Sequence, residues 1–559
     1  MLELLITLAR IFRADNKELY MVGGTVRDLL LRRPTSPDID LTTNARPDDI
    51  KRLIAATHPD AVVTVGEQFG TVRAHYRRPS EPGEAPFPDG AVDRASPLPA
   101  ALIAEVSGDM DVVEITTYRS DQYSDGSRKP EVTFGDSLEG DLLRRDFTIN
   151  AMARDPLSGD IMDPFGGRED LDRGLIRAVG NDPASRFDED PLRLLRAARF
   201  AAQLGFEIEP TTAQAIKLQA PTLARISRER IRDEFTKLLM TQHPSRGLRL
   251  LVDFGLMPRI VPEVLELCGV SQKPAHSKDV YDHVLRVVER TPPRPATRWA
   301  GLLHDIAKPR TRSVEDGKVH FFGHEDVGAV MARDILHRLK FDRPFIEYVS
   351  RLVRLHMRAN AYLPEWTDGA VRRLMLDAGN GLHDLLDLSR ADITSYRQDK
   401  VSRAVMRVNE LEMRCQRLRE EAERVPIRSP LDGNDLMEIF GRGPGPWLRP
   451  LKDYLLGLVI DGELAPDARE EAAALAAAFL AEHEQQPSGP ADAAAPPGQP
   501  PLPNQSTQST SADERRAARA AHRRQSRQPA PGEPQPTGES ADNRDTGQTR
   551  PLTRAKGAR

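Results

Sequence analysis

Cysteine is nearly absent from this chain: 559 residues hold two, Cys268 and Cys415, far apart. Such a pair provides neither a disulfide framework nor a thiolate metal cluster. It suits a reducing compartment, so a cytoplasmic protein is expected. Long apolar runs are also missing. None approaches the roughly 20 residues needed to span a bilayer, so no membrane segment is expected. The apolar start "MLELLITLARIF" contains Glu3 and Arg10 and leads straight into "ELYMVGG", which reads as an amphipathic first helix and not a secretion signal. A strong charge imbalance is lacking as well. The 79 Lys and Arg face 84 Asp and Glu, a net of −5, and only local charge can speak for or against a nucleic-acid partner. No internal repeat of fixed period is found. A chain of 559 residues is too long for one core, and several domains are expected.

What is present changes in texture along the chain. Within 1–155, "LYMVGG", "DIDLTT", "AVVTV", "GTVRAHY" and "DVVEITTYR" are short β-branched or alternating runs bounded by turn signals. A Pro-, Gly- and charge-rich stretch at about 77–103 reads as a surface insertion between strands. "RSDQYSDGSRKPEVTFGDS" reads as a second mobile stretch. The patterns after about 188 are helical, and a division follows: head 1–155, neck 156–245, body 246–483. From 484 onward the chain has almost no large apolar residues, and a disordered tail is expected. Its cluster "ERRAARAAHRRQSR" fits a solvated tail or a weak electrostatic hold on RNA.

The chemistry-bearing residues of the head begin with Asp38 and Asp40. Two apart in a strand, they leave on one face and repel each other unless a cation lies between them. Mg²⁺ is the natural choice, since it prefers hard oxygen ligands and is often shared with phosphates. Glu114 sits in an otherwise apolar strand. It is either the polar face of an edge strand or the third carboxylate of a two-metal clamp for phosphoryl or nucleotidyl transfer. Gly23 and Gly24 precede a helix carrying Arg27, an arrangement that lets backbone approach a phosphate while Arg27 adds charge-assisted bonds. The loop "GEQFGTV", Gly66 to Val72, fits a further closure on this site. Arg144 and Arg145 suit a triphosphate, and Asp146 or Asn150 a ribose hydroxyl. Asp190, Arg193, Arg196 and Arg199 recur at three-residue steps, so several can reach one ligand. Asp190 before Pro191 also reads as a helix cap, and a capping acid can still present an oxygen to a base.

The ordered motifs "GGTVRD", "DIDLTT", "EITTYR", "RRDFTINAMA", "DPFGGREDL", "EDPLRLLRAARF" and "ISRERIRDEFTKLL" cover about residues 20–250. Together they resemble the class II CCA-adding tRNA nucleotidyltransferases, relatives of the bacterial poly(A) polymerases. The resemblance implies an α+β protein: a polymerase-β-like nucleotidyltransferase head with a small mixed sheet, then an all-α neck. By position it implies catalytic Mg²⁺ on Asp38 and Asp40 with Glu114 as third carboxylate. It gives Gly24, Arg27 and Arg145 to the nucleotide's phosphates and sugar. It gives Asp190 and Arg193 to the base edge of CTP and then ATP, with Arg196 and Arg199 nearby. The departures from the family are the 77–103 insertion, the tail and "LLRRPTSPD", where a glycine is usual.

A second set lies in the helical region: His283, His304, Asp305, His324, His356 and Asp392. Scattered His and Asp on helices can converge on one or two metals, and burying adjacent His304 and Asp305 calls for partners. The order H…HD…H…H…D over about 270–400 resembles the HD phosphohydrolase superfamily, which implies a divalent metal whose identity does not follow. The leading expectation is an enzyme adding C, C and A to tRNA from CTP and ATP. The rivals are an A-adding or poly(A) polymerase, an HD phosphohydrolase whose head only binds RNA, and a scaffold working through its tail. Oligomeric state does not follow from the sequence.

Overall fold

The computed structural model describes residues 2–33, 38–65, 70–77, 110–122, 131–135, 137–273, 276–394, 397–424 and 427–484. The readings made on the loop from Gly66 up to residue 69, on all but the first residue of the 77–103 insertion and on the tail from 485 fall outside these residues.

The alternating runs of the head become strands β1 (Leu19–Val22), β2 (Asp38–Thr43), β3 (Ala61–Val65), β4 (Thr71–Arg77), β5 (Met110–Thr117), β6 (Arg119–Gln122), β7 (Glu131–Phe134), β8 (Ala153–Arg154) and β9 (Ile161–Met162). Seven of them form one sheet in the order β3-β4-β5-β2-β1-β8-β9. Only β2 and β5 pair in parallel, which makes the sheet mixed. Its alternation sorts the side chains. Ile39, Leu41, Val72, Val113 and Ile115 turn to one face, where they bury Leu5, Leu8 and Phe12 of the helix Leu2–Ala14 and Ile50 and Ile54 of the helix Pro47–Ile54. The apolar start of the chain is thus an amphipathic helix on this core. Asp38, Asp40 and Glu114 are left on the opposite face.

The stretch read as mobile after β5 contains a hairpin: β6 and β7 pair antiparallel, Arg119 opposite Phe134 and Gln122 opposite Glu131. Ladder hydrogen bonds need no apolar alternation: β6 (RSDQ) has none, and only the four residues of β7 (EVTF) alternate.

Beyond β9 the chain is mostly helical. Ser137 caps the short helix Leu138–Leu143 that precedes β8, and Asp182 caps Pro183–Glu189 beyond β9. One hydrophobic cluster runs from Phe147 through the helices Leu192–Leu204, Arg228–Leu239 and Pro244–Asp253 to Leu418, so the neck and the His-rich region share a core. Phe147 meets Phe200 edge-on, ring centroids 5.8 Å apart, and ties the last head motif to the neck helix. Gly167 seals the same joint: a Cβ there would lie 2.3 Å from the Thr148 carbonyl oxygen. A separate cluster around Leu436, Leu451 and Leu455 packs the helices Gly433–Phe440, Leu448–Asp461 and Arg469–Glu484. Among the described residues no helix is long and apolar enough to cross a membrane.

Candidate functional site

Strand register assembles the head site from distant segments. Asp40 on β2 stands opposite Glu114 on β5, and Glu114 stands opposite Arg73 on β4. Asp38 lies opposite Val112, and Val112 opposite His75. The Arg73 Nε donates to Glu114 Oε2 at 2.6 Å. Asp40 keeps a solvent-reachable surface at the floor of this face. Its carboxyl is nevertheless raised above the ordinary range, first by burial and then by Glu114 and Asp38, with Arg145 pulling the other way. Such a carboxylate row is electrostatically incomplete without a cation, and hard oxygen donors suit Mg²⁺.

Gly23 adjoins Asp40 at the start of the helix Gly24–Leu30, with φ +69°. A Cβ on Gly23 would lie 3.1 Å from Arg145 Nη1 and 3.5 Å from Asp40 Oδ2. The glycine therefore satisfies two demands, a left-handed backbone and close approach of two charged side chains. Gly23→Ala is expected to cost about 1 kcal/mol of stability, measured by denaturant titration.

From Asp40 a cavity of about 420 Å³ extends toward the neck. Its lining holds seven arginines (27, 144, 145, 193, 196, 199 and 230) against three aspartates (40, 146 and 190). The arginines are held in place by a network. Arg27 Nη1 donates to Asn150 Oδ1 at 2.8 Å, while its Nε and Nη2 grip Asp28. Asn150 Nδ2 donates to Asp146 Oδ1 at 3.0 Å, and Arg196 Nε donates to Asp146 Oδ2 at 2.7 Å. Although Asp146 is buried, Arg196, Asn150 and the Phe147 N–H hold its carboxyl down at about 2. Arg199 pairs with buried Glu234 and lies 4.0 Å over the Phe200 ring, with Arg27 and Arg196 each 5.2 Å from that ring. Asp146 and Asn150, read as ribose contacts, are engaged within the protein and orient Arg27 and Arg196.

The base-edge candidates are committed as well. Asp190 Oδ1 accepts from the Leu192 N–H at 3.2 Å, the cap its place before Pro191 suggested, and Oδ2 accepts from Arg230 at 2.8 Å. Arg193 donates to Glu189 and to the Arg186 and Arg144 carbonyls. Arg144 and Arg145 both reach buried Asp141. Sequence reasoning assigned no role to Arg73, Asp141, Phe200, Gln203 or Arg230. Arg230 lies in the quoted "ISRERIRDEFTKLL", but nothing local ties it to Asp190.

The second set also converges. His283 lies on the helix Val280–Arg290, His304 ends Pro295–Leu303, His324 opens His324–Arg338, His356 lies on Arg343–Asn360 and Asp392 ends Leu382–Asp392. His283 Nε2 is 3.2 Å from His304 Nε2, 3.2 Å from Asp305 Oδ2 and 3.0 Å from Asp392 Oδ1. His324 and His356 approach Asp305 Oδ1 at 3.4 and 3.9 Å. The Nδ1 atoms of His304, His324 and His356 each face a backbone carbonyl at 2.6–2.9 Å. A carbonyl only accepts, so Nδ1 carries a proton in all three, and in the neutral ring Nε2 turns its lone pair inward. The Nε2 atoms of His324 and His356 are buried without a partner, which is what a metal position leaves behind. Burial drives Asp305 upward, but His304, Lys308 and the imidazole hydrogen bonds outweigh it and hold Asp305 well below the carboxylate range. Burial likewise opposes a proton on His283, yet Asp305 and Asp392 lift that group to about 9, while burial and His304 push His356 down to about 4. Lys308, whose Nζ is 2.7 Å from Asp305 Oδ2, was also missed, though its place three residues on was readable.

Comparison with known proteins accords with this geometry. A family model described as "Poly A polymerase head domain" matches residues 19–85 and 95–177. A second, "Probable RNA and SrmB- binding site of polymerase A", matches 205–268, and "HD domain" matches 275–397. The A-adding tRNA nucleotidyltransferase of Deinococcus radiodurans is 36% identical over 56% of this chain and 72% of its own. The CCA-adding enzyme of Geobacillus stearothermophilus is 31% identical over 80% of this chain and 89% of its own. The crystal structure of Bacillus stearothermophilus CCA-adding enzyme in complex with CTP matches with a TM-score of 0.58 and 27% identity, covering 86% of this chain and 98% of that one. Fold and site thus define a nucleotidyltransferase of the poly(A) polymerase class, with an HD domain in its helical body. Within that class, the chain belongs to the family of CCA-adding tRNA nucleotidyltransferases and is an enzyme of that family.

Proposed function

We propose that this enzyme adds C, C and A to the 3′ end of tRNA from CTP and ATP, without a nucleic-acid template, releasing pyrophosphate. The observation that supports it most is the arginine-lined cavity ending on Asp40, with Glu114 in register beyond. Excess positive charge in a recess of this size suits a nucleoside triphosphate, and the carboxylate row lies where its α-phosphate would come. Asp38, Asp40 and Glu114 would hold Mg²⁺, which when bound would supply activation of the attacking 3′-oxygen and charge neutralisation on the departing pyrophosphate.

The chain's own residues do the rest. Gly23 and Gly24 let phosphate oxygens approach backbone, and Arg145, held by Asp141, presents its guanidinium beside Asp40. Arg196 and Arg199 are fixed by Asp146 and Glu234 and so offer pre-set charge to the nucleotide. Asp190 and Arg193 read the base: a carboxylate acceptor and a guanidinium donor match the Watson–Crick edge of cytosine or adenine after a small rearrangement. Exchange of Asp190's Arg230 partner for a base is the rearrangement this geometry allows. The working division is a head at 1–155, a neck at 156–245 and a body at 246–483, with Arg- and Lys-rich faces of neck and body gripping the tRNA by its backbone and shape. Incorporation of labelled CTP and ATP into tRNA ending before its CCA tests the reading. The wild type in Mg²⁺ should incorporate both, and no incorporation would refute it.

The orphaned imidazoles favour a second activity in the same chain, metal-dependent phosphoester hydrolysis at the HD site. His283, His304, Asp305, His324, His356 and Asp392 would hold one or two divalent ions, which supply activation of water. Beside them, a cavity of about 320 Å³ is lined by Asn360, Asp392, Lys400 and Arg407 among others, and its two cations suit a phosphate ester. Asp305→Ala should remove the metal retained by the HD site after dialysis while CTP incorporation stays within about twofold, as expected for sites that share no residue. Mass spectrometry of bound metal and incorporation assays on one preparation measure both.

A further inference from the structure

Across the head sheet, β4, β5 and β2 place Arg73, Glu114 and Asp40 in one row, and Gly23 and the arginine-lined cavity continue beyond Asp40. Among the described residues the cavity wall includes Asp40 but neither Glu114 nor Arg73. The row therefore has two sides. If the cavity holds the triphosphate, the departing pyrophosphate leaves on that side. In-line displacement then requires the attacking oxygen to enter from the other, over Glu114 and Arg73. The RNA that brings this oxygen carries a phosphodiester one nucleotide back, and three carboxylates repel it.

Arg73 is suited to answer that repulsion. Its side chain is 44% exposed, and its Nε is spent on Glu114. Among the described residues its Nη groups make no hydrogen bond, which leaves the fork of the guanidinium to bind a phosphate. Two residues along the same face, His75 is 8% exposed and its Nε2 has no partner, so this side of the row holds further unfilled hydrogen-bonding capacity. We infer that Arg73 is an acceptor-binding residue: it grips the last phosphodiester of the incoming RNA and, through Glu114, aligns that strand's 3′-hydroxyl with the row. The inference rests on the nucleotidyl-transfer reading proposed above.

Full-length wild type, Arg73→Gln and Arg73→Lys are compared on two acceptors. One is tRNA ending before CCA, the other the same tRNA with its last phosphodiester replaced by a neutral methylphosphonate. Wild type should lose about tenfold in kcat/KM on the neutral acceptor, the size of a charge-assisted bond. Arg73→Gln should lose about tenfold on the natural acceptor, with KM for CTP unchanged, and show no further loss on the neutral one. Its salt dependence of acceptor binding should be shallower by about one phosphate contact, whereas Arg73→Lys should keep the slope. An Arg73→Gln loss equal on both acceptors, or a matching rise in KM for CTP, overturns the inference and leaves Arg73 a partner of Glu114 alone. A wild type inactive on both acceptors overturns the transfer reading and this inference with it.

Discussion

Asp40→Asn is expected to lower nucleotide addition by at least about a thousandfold while leaving the melting temperature unchanged or slightly raised. The activity loss follows from the carboxylate's place between the arginine-lined cavity and Glu114, where an amide offers no anionic oxygen. The stability result follows from its surroundings. Burial, Glu114 and Asp38 raise the Asp40 carboxyl above its ordinary range, so the folded protein holds this proton more tightly than the unfolded chain does. That contribution is present at acid pH and lost as pH rises through the folded value. At neutral pH the charged group therefore costs stability, and a neutral amide of the same shape relieves the cost. Steady-state incorporation and a melting curve on the same sample check both halves. A variant that is inactive because it unfolds would speak against the role assigned to Asp40.

Asp146→Ala should behave in the opposite way, losing both stability and activity. It leaves the half-buried Arg196 without its carboxylate and frees Asn150, and loss of such charge-assisted partners typically costs about 1–3 kcal/mol. Nucleotide addition should fall because Arg196 and Arg27 lose the scaffold that aims them. The linkage with pH has a definite sign. The Asp146 carboxyl is held at about 2 against 3.8 in the unfolded chain, so its contribution is present above 3.8 and is lost as pH falls toward 2. Wild type should therefore be destabilised relative to Asp146→Ala as pH is lowered from 5 to 2, which denaturant titrations across that range would measure. Parallel pH profiles for the two proteins would contradict it.

These cases show what local sequence carries. Period-two alternation sends Asp38, Asp40 and Glu114 off one face each of their own strands, and both statements were legible. That β2 and β5 pair in parallel, with Asp40 level with Glu114, was not, because register across the intervening chain depends on tertiary packing. Arg73 carried no local signal, because its place opposite Glu114 is set by the same register. Arg230 was quoted inside a motif, yet its contact with Asp190 spans 40 residues. The His and Asp order of the body was readable because each residue is chemically conspicuous on an apolar helix. Their inward Nε2 atoms depend on backbone carbonyls that no composition reveals. Of the β6–β7 hairpin, β6 (RSDQ) had no apolar residue, and the alternation of β7 (EVTF) is only four residues long.

The relatives include both an A-adding and CCA-adding enzymes, so the order of added bases is the central question. The most direct measurement is to sequence the 3′ ends of tRNA, truncated before its CCA, after incubation with the wild type, CTP, ATP and Mg²⁺. The account predicts C, C and A followed by a stop. Products carrying only A, whether one residue or a long tract, would contradict it.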